Sequence, residues 1–269
     1  MTGGSRSGRG ARTWLRPIEH RLQRWSASPE WLKLSVLAGL GSVRRLPNDP
    51  EQLYVLCYHE VSHSSAGRFE AALRQLADAG RFVSWPEALD ILSGRVSTNG
   101  PAFCLTFDDG HTCWTDVILP ILVRQELPAT FFVVTSLVES PGRDGALTWP
   151  DCRKLVSHGM TVGSHSVTHR PLAVISDGDV HRELADSKAE LEGQLGVEVR
   201  DFCAPYGQPG KTFDPVRDVR LAAHIGYRCF VTTVRGPMRP GDSPYAIRRT
   251  VMQPEWSTAI MRGRLLVPR

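Results

Sequence analysis

Three polar clusters in this sequence bring together side chains able to hold a metal and to move protons. Thr106-Phe107-Asp108-Asp109-Gly110 sets two carboxylates side by side at the end of an apolar run. Carboxylates so placed can diverge, one facing a metal and the other a substrate; an Asp-Asp-Gly turn is the plain alternative. Ser164-His165-Ser166-Val167-Thr168-His169 supplies histidines four apart, a spacing that shares one face of a helical turn and suits a single ion. Two imidazoles and one carboxylate make a three-ligand set with open positions, the arrangement of catalytic Zn or Fe(II) sites. Taken alone, the pair is equally an ordinary solvated couple. The third cluster, Phe202-Cys203-Ala204-Pro205-Tyr206-Gly207, reads by itself as a Pro-Tyr-Gly turn.

Such groups need strand ends to hold them, and the sequence alternates strand and helix signals as an α/β chain with mostly parallel strands does. Strands are expected at Leu53–Tyr58, Ala102–Phe107, Ala129–Thr135, Thr161–Gly163 and Arg228–Thr232. Helices are expected at 69–79, at 114–125 with Pro120 as a kink or an end, at 152–157, at 179–195 behind Ser176 or Asp177, and at about 214–224. Two of the three clusters directly follow a strand, and reactive groups collect at the carboxyl ends of parallel strands. Ahead of this body, residues 1–13 are Gly-, Ser- and Arg-rich and are expected to be disordered. Trp14, Ile18, Leu22 and Trp25 recur at helical spacing, and Ser28-Pro29-Glu30 marks a second helix start.

The chain has 269 residues, of which 41% are hydrophobic and 22% charged, enough to bury a core and too apolar for a disordered chain. Residues 1–50 carry nine Arg or Lys and three Asp or Glu, a net of +6; residues 51–269 net −2. The body is therefore not a nucleic-acid binder on charge grounds. The basic extension with its tryptophans suits an anionic membrane surface, so peripheral contact through residues 14–45 is expected. Trp31–Leu40 is about half the roughly 20 residues that span a bilayer and contains Lys33. No A-x-A-type cleavage site follows it, so no cleaved signal is read. The six cysteines form no C-x-x-C pair and read as reduced, mostly buried thiols. The expectation is a cytoplasmic protein, peripheral at the inner membrane face, with secretion as the alternative.

Together and in this order, the three clusters resemble the polysaccharide deacetylase family, built on the NodB homology domain. Thr106–Gly110 looks like its TFDDG signature, Gly163–His169 with Pro171-Leu172 like its H-(S/T)-x-x-H motif, and Ala204–Gly207 like its third motif. Tyr58-His59-Glu60-Val61 is similar to a YH-x-V element of many bacterial members. Gly226–Thr233 and Tyr245–Val251 are similar to late segments of the exopolysaccharide-processing branch. The likeness runs from about Leu53 to Met252, so residues 51–269 are read as the NodB-like domain and 1–50 as an N-terminal helical extension. It implies an α/β fold, a distorted (β/α) barrel of about seven parallel strands. It also implies metal-dependent hydrolysis of an N-acyl group, usually N-acetyl, on an aminosugar of a glycan or glycolipid such as a lipid-linked sugar. Asp109, His165 and His169 would hold one divalent metal ion, zinc foremost, with Co, Ni, Mn or Fe as alternatives. Asp108 would be the base, and the backbone N–H of Tyr206 would help hold the oxyanion. Two departures stand out. The third motif often begins with an Arg beside the catalytic Asp, where this chain has Cys203; Arg249 or Arg248 is expected to replace it. No histidine follows His224 to supply the family's late general acid, so His59 is the leading substitute, with a buried structural role as its rival. A small-molecule amide hydrolase and a non-catalytic glycan-binding module are the competing functions.

Overall fold

The computed structural model describes residues 29–43, 51–140 and 145–267. Eight strands lie in chain order: β1 (Leu53–Tyr58), β2 (Arg81–Phe82), β3 (Ala102–Asp109), β4 (Ala129–Val133), β5 (Thr161–Ser164), β6 (Asp201–Cys203), β7 (Cys229–Val231) and β8 (Thr250–Val251). They form one parallel sheet in the order β7-β6-β5-β4-β3-β1-β8, with the short β2 pairing beside β4 along the first residues of β3. The chain segment holding β8 touches both edges. Thr250 and Val251 pair with β1, while Ile247 bridges to Val231 of β7, so this segment curls the sheet towards closure. This is the distorted (β/α) barrel expected, with seven strands on the main path.

Helices α1 (Glu30–Val43), α2 (Ala66–Ala77), α3 (Trp85–Leu92), α4 (Leu119–Arg124), α5 (Trp149–Ser157), α6 (Asp177–Leu195), α7 (Arg217–Ile225) and α8 (Thr258–Leu266) complete the fold. Their starts follow capping rules: Ser84, Thr148, Ser176 and Ser257 each accept a backbone N–H of the first turn, and Thr148 and Asp151 close a capping box. The expected helix at 114–125 is divided. A π-helical turn, Trp114–Ile118, precedes α4, and Pro120, which cannot donate into a ladder, lies in the first turn of α4.

Alternation along the strands sorts side chains to two faces. One face, with Tyr54, Leu56, Tyr58, Phe103, Leu105 and Phe107, packs under the helices in the main core. The other gathers Leu53, Val55, Ala102, Cys104, Phe132 and Cys203 with Trp85, Ala88, Ile91 and Leu92 of α3. Trp85 meets Phe132 edge-on at 5.5 Å. The same alternation carries Cys57, Thr106 and Asp108 onto this concave face, one or two steps above Val55 and Cys104.

The expected helix at 14–25 lies outside the described residues, as does the disorder expected for 1–13. The helix signalled at Ser28–Glu30 is α1, which packs against α8 with Leu37 buried. Gly41 and Gly263 permit this approach: a Cβ on Gly41 would overlap the Ala259 carbonyl, and one on Gly263 the Leu37 carbonyl. Among the described residues no helix is long and apolar enough to cross a membrane.

Candidate active site

All three clusters converge at the carboxyl ends of β3, β5 and β6. Asp108 is the penultimate residue of β3 and points into the concave face, where it is buried. Asp109 would point the opposite way in a regular strand, but its φ of 85° breaks the pleat and turns its carboxylate to the same rim. There its Oδ1 lies 3.6 Å from His165 Nε2 and 3.4 Å from His169 Nε2. Four ligands at roughly 2.1 Å around a tetrahedral ion are separated by about 3.4 Å, so these spacings match the donor set of one zinc-sized cation. The buried His165 ring places Nδ1 2.7 Å from the Cys203 carbonyl, which fixes Nδ1 as the donor and leaves Nε2 with a lone pair for the shared point. Burial, and then the neighbouring His165, lower the pKa of His169 and favour the neutral ring that binds metals. His169 itself sits at φ 58°, with its N–H donated to Ser166 Oγ at 3.0 Å.

The departure at Cys203 is made good by a residue 141 positions from Asp108. Arg249, fully buried, donates from Nη1 to Asp108 Oδ1 at 2.7 Å and from Nη2 to Oδ2 at 2.6 Å. Its Nη1 also reaches Thr106 Oγ1 and its Nε the Thr232 carbonyl, both at 3.0 Å, and its guanidinium lies over the Phe132 ring. Arg248, the alternative, points away and pairs with Asp242. Two thiols complete the Asp108 surroundings, Cys57 at 3.5 Å and Cys203 at 3.7 Å from Oδ2. Burial alone would raise the Asp108 carboxyl, but Arg249, and then His165, outweigh it and hold it well below the usual carboxylate range. Burial pushes the Cys57 and Cys203 thiols up, so both stay protonated.

His59 leaves β1 exposed at the rim, not buried as its structural reading would require. Its ring nitrogen, the Asp108 carboxylate and Cys57 Sγ lie within 4.8 Å of one another, and its carbonyl accepts from Trp114 Nε1 at 3.0 Å. Tyr206, at φ 60°, sets its half-exposed ring 4.7 Å from that of His169, tilted by 53°, while its carbonyl accepts the Thr233 hydroxyl. Among the described residues no acceptor takes the Tyr206 N–H. Beside His59 a cavity of about 390 Å³ is lined by Glu60, Ser62, Met252, Gln253 and Glu255. Sequence reading missed three contributors: the Cys203 carbonyl, the Cys57 thiol and Thr106 under Arg249. Their types carry no chemical signal; only the inward register of β1, β3 and β6 would have placed them.

Comparison with known proteins agrees with this geometry. The model of the polysaccharide deacetylase family matches residues 95–230. YxkH of Bacillus subtilis, assigned to the polysaccharide deacetylases, is 27% identical over 214 residues, covering 77% of this chain and 74% of that one. The chitooligosaccharide deacetylase of Sinorhizobium fredii is 31% identical over 115 residues, 42% of this chain and 50% of that protein. Among solved structures, IcaB from Ammonifex degensii superposes with a TM-score of 0.70 at 28% identity, covering 80% of this chain and 97% of that one. The deacetylase PplD of Streptococcus pyogenes, solved with acetate, gives 0.68 at 25% identity over 79% and 97%. With the family's segment running through β3, β5 and β6 and carrying both aspartates and both histidines, this chain belongs to the polysaccharide deacetylase family.

Proposed function

We propose that this protein hydrolyses the N-acetyl group of an aminosugar within a glycan or lipid-linked sugar, using one divalent metal ion. The observation that carries the reading is the meeting of Asp109, His165 and His169 beside a second carboxylate that an Arg holds ionised. Asp109 and the two Nε2 atoms would hold the ion, zinc foremost, with Fe(II) suited to the same two imidazoles and one carboxylate. When bound, such an ion polarises the amide carbonyl and makes a water acidic enough to attack near neutral pH. Asp108 takes the proton of the attacking water; its Oδ2 lies on the His165 side of the carboxylate, 3.9 Å from Nε2. Arg249 keeps that carboxylate in one orientation and charged before the substrate arrives. The Tyr206 N–H donates to the oxygen on which negative charge develops. His59, exposed at the rim near Asp108, gives a proton to the leaving amine. In this reading Asp108 serves as the base and His59 as the acid, without a late histidine.

The test is acetate release from N-acetylglucosamine oligomers of increasing length by the zinc-loaded protein. A polymer enzyme gains kcat/KM with length through remote binding energy, whereas a small-amide hydrolase does not. Asp108→Asn should keep the metal and lose about 10²–10⁴-fold in kcat; metal lost in that variant would mean that the two aspartates have exchanged roles.

We also propose that the chain sits peripherally on the cytosolic face of an anionic membrane. The support is the net charge of +6 in residues 1–50 together with an apolar stripe on the free side of α1, where Leu32 is 39%, Val36 40% and Val43 85% exposed. These positions are four and seven apart, hence one helix face. Binding to liposomes with anionic lipid, weakened by salt and by serine at all three positions, is the expected outcome. Equal binding to neutral liposomes would overturn it.

A further inference from the structure

The segment between the two histidines is an unusual piece of backbone. Ser166 at φ 69° and His169 at φ 58° are both left-handed, a conformation that non-glycine residues keep only when neighbours hold them there. Its hydrogen bonds say what holds it. His165 N–H donates to the Val133 carbonyl of β4, Ser166 N–H to Ser164 Oγ, and His169 N–H to Ser166 Oγ. The two remaining N–H groups, of Val167 and Thr168, converge on one oxygen of Glu183, at 2.9 and 2.8 Å. The other Glu183 oxygen accepts the Thr168 hydroxyl at 2.5 Å. Glu183 is 7% exposed and stands on α6, one turn before Ser187. Ser187 gives its own proton to the Leu184 carbonyl, so its oxygen accepts from Ser164 Oγ at 2.7 Å. One face of α6 therefore grips the loop twice.

We propose that Glu183 is a positioning residue for the metal centre. Its carboxylate clamps the peptides between His165 and His169 and so sets the distance and orientation of the two imidazoles. Burying a carboxylate is costly unless it is fully hydrogen-bonded, and all three donors that satisfy this one come from Val167 and Thr168, so the group is committed to this single segment. The inference rests on the reading of Asp109, His165 and His169 as ligands, and it adds the group that spaces two of them.

The experiment measures the zinc affinity of the metal-free, folded protein by competition with a chromogenic chelator, alongside the melting temperature of the metal-free protein and the visible spectrum of its cobalt form. Glu183→Ala should weaken zinc binding about 10–100-fold and alter the cobalt spectrum, as loss of supporting groups around metal ligands does. Glu183→Gln can accept both N–H groups on its one carbonyl oxygen while its amide meets the Thr168 hydroxyl, and should recover most of the affinity. Leu191→Ala, elsewhere on α6 and fully buried, should lower the melting temperature without moving affinity or spectrum. If affinity falls in step with melting temperature for Leu191→Ala and Glu183→Ala alike, Glu183 only supports the fold and the proposal fails. Should Glu183→Ala not fold, Thr168→Val and Glu183→Gln decide: affinity and spectrum unchanged in Thr168→Val but lost in Glu183→Gln would count against the clamp. A wild-type protein that binds no zinc would instead remove the ligand reading, and this inference with it.

Discussion

At the scale of single residues, Asp108 and Arg249 form the most consequential pair in the molecule. Both are buried, and the two-pronged contact uses both carboxylate oxygens. Removing either partner leaves an uncompensated charge in the interior, which costs about 3–5 kcal/mol. Arg249→Met should therefore lower the urea unfolding free energy by about that amount and abolish turnover while leaving the zinc stoichiometry intact. An unchanged unfolding midpoint would show that the pair contributes no stability. The two aspartates and the two histidines were legible because their types announce chemistry and their clusters follow strand ends, whereas the replacement arginine was legible only through the family resemblance of its late segment. Glu183 was not, because an acidic residue in the long amphipathic helix of 177–195 looks like any solvated one until the fold turns it inward. The thiols of Cys57 and Cys203 were hidden for a similar reason: which face of a strand points inward is settled only by its neighbours.

Among the elements, long periodic segments were legible and most short ones were not. The strands at 53–58, 102–107, 129–135, 161–163 and 228–232 correspond to β1, β3, β4, β5 and the three-residue β7, and the best helical signal became α6 with its cap at Ser176 and its left-handed stop at Gly196. Two-residue β2 and β8 and three-residue β6 carry no period to read, since alternation needs at least four residues to be seen. Helix α8 was missed as well. Its sequence TAIMRGRLL has apolar residues all round and a glycine in the middle, which argues against a helix until α1 is laid over that glycine. The docking of α1 on α8 gives a test. Gly263→Val should force the helices apart and cost about 1–3 kcal/mol, the usual penalty of overpacking. Limited proteolysis should then cut within 29–43 well before it cuts the body. Cleavage of the body first would mean that α1 is held by other contacts.

For the whole molecule, the six cysteines make one collective prediction. All are free and buried, and burial raises each thiol pKa, to about 11 for Cys113 and about 12 for Cys152 and higher for the rest. The unfolded chain loses these protons near the ordinary thiol pKa of about 8.5, while the folded chain keeps them. Above that pH the unfolded state binds fewer protons, so stability falls as pH rises, by up to about 1.4 kcal/mol per thiol and pH unit. Six thiols make that slope steep against a stability of roughly 5–15 kcal/mol. Unfolding followed by circular dichroism should set in sharply near pH 10, and conversion of the cysteines to alanine or serine should move it upward. Native protein at pH 8 should give almost no reaction with a thiol reagent and six equivalents after denaturation.

The segment from Ile247 to Met252 meets both edges of the sheet, and Arg249 sits in its middle. A growing chain emerges at roughly 5–20 residues per second. Asp108 is therefore made roughly 7–28 s before the arginine that will neutralise it, given the 141 positions between them. Throughout that interval β3 cannot settle into a dry interior without stranding a bare charge, so its final seating waits for the last strand. Arrival of that strand closes the sheet and pairs the Asp108 carboxylate in a single event. The seating of Asp108 thus becomes a report that synthesis has reached the end of the barrel.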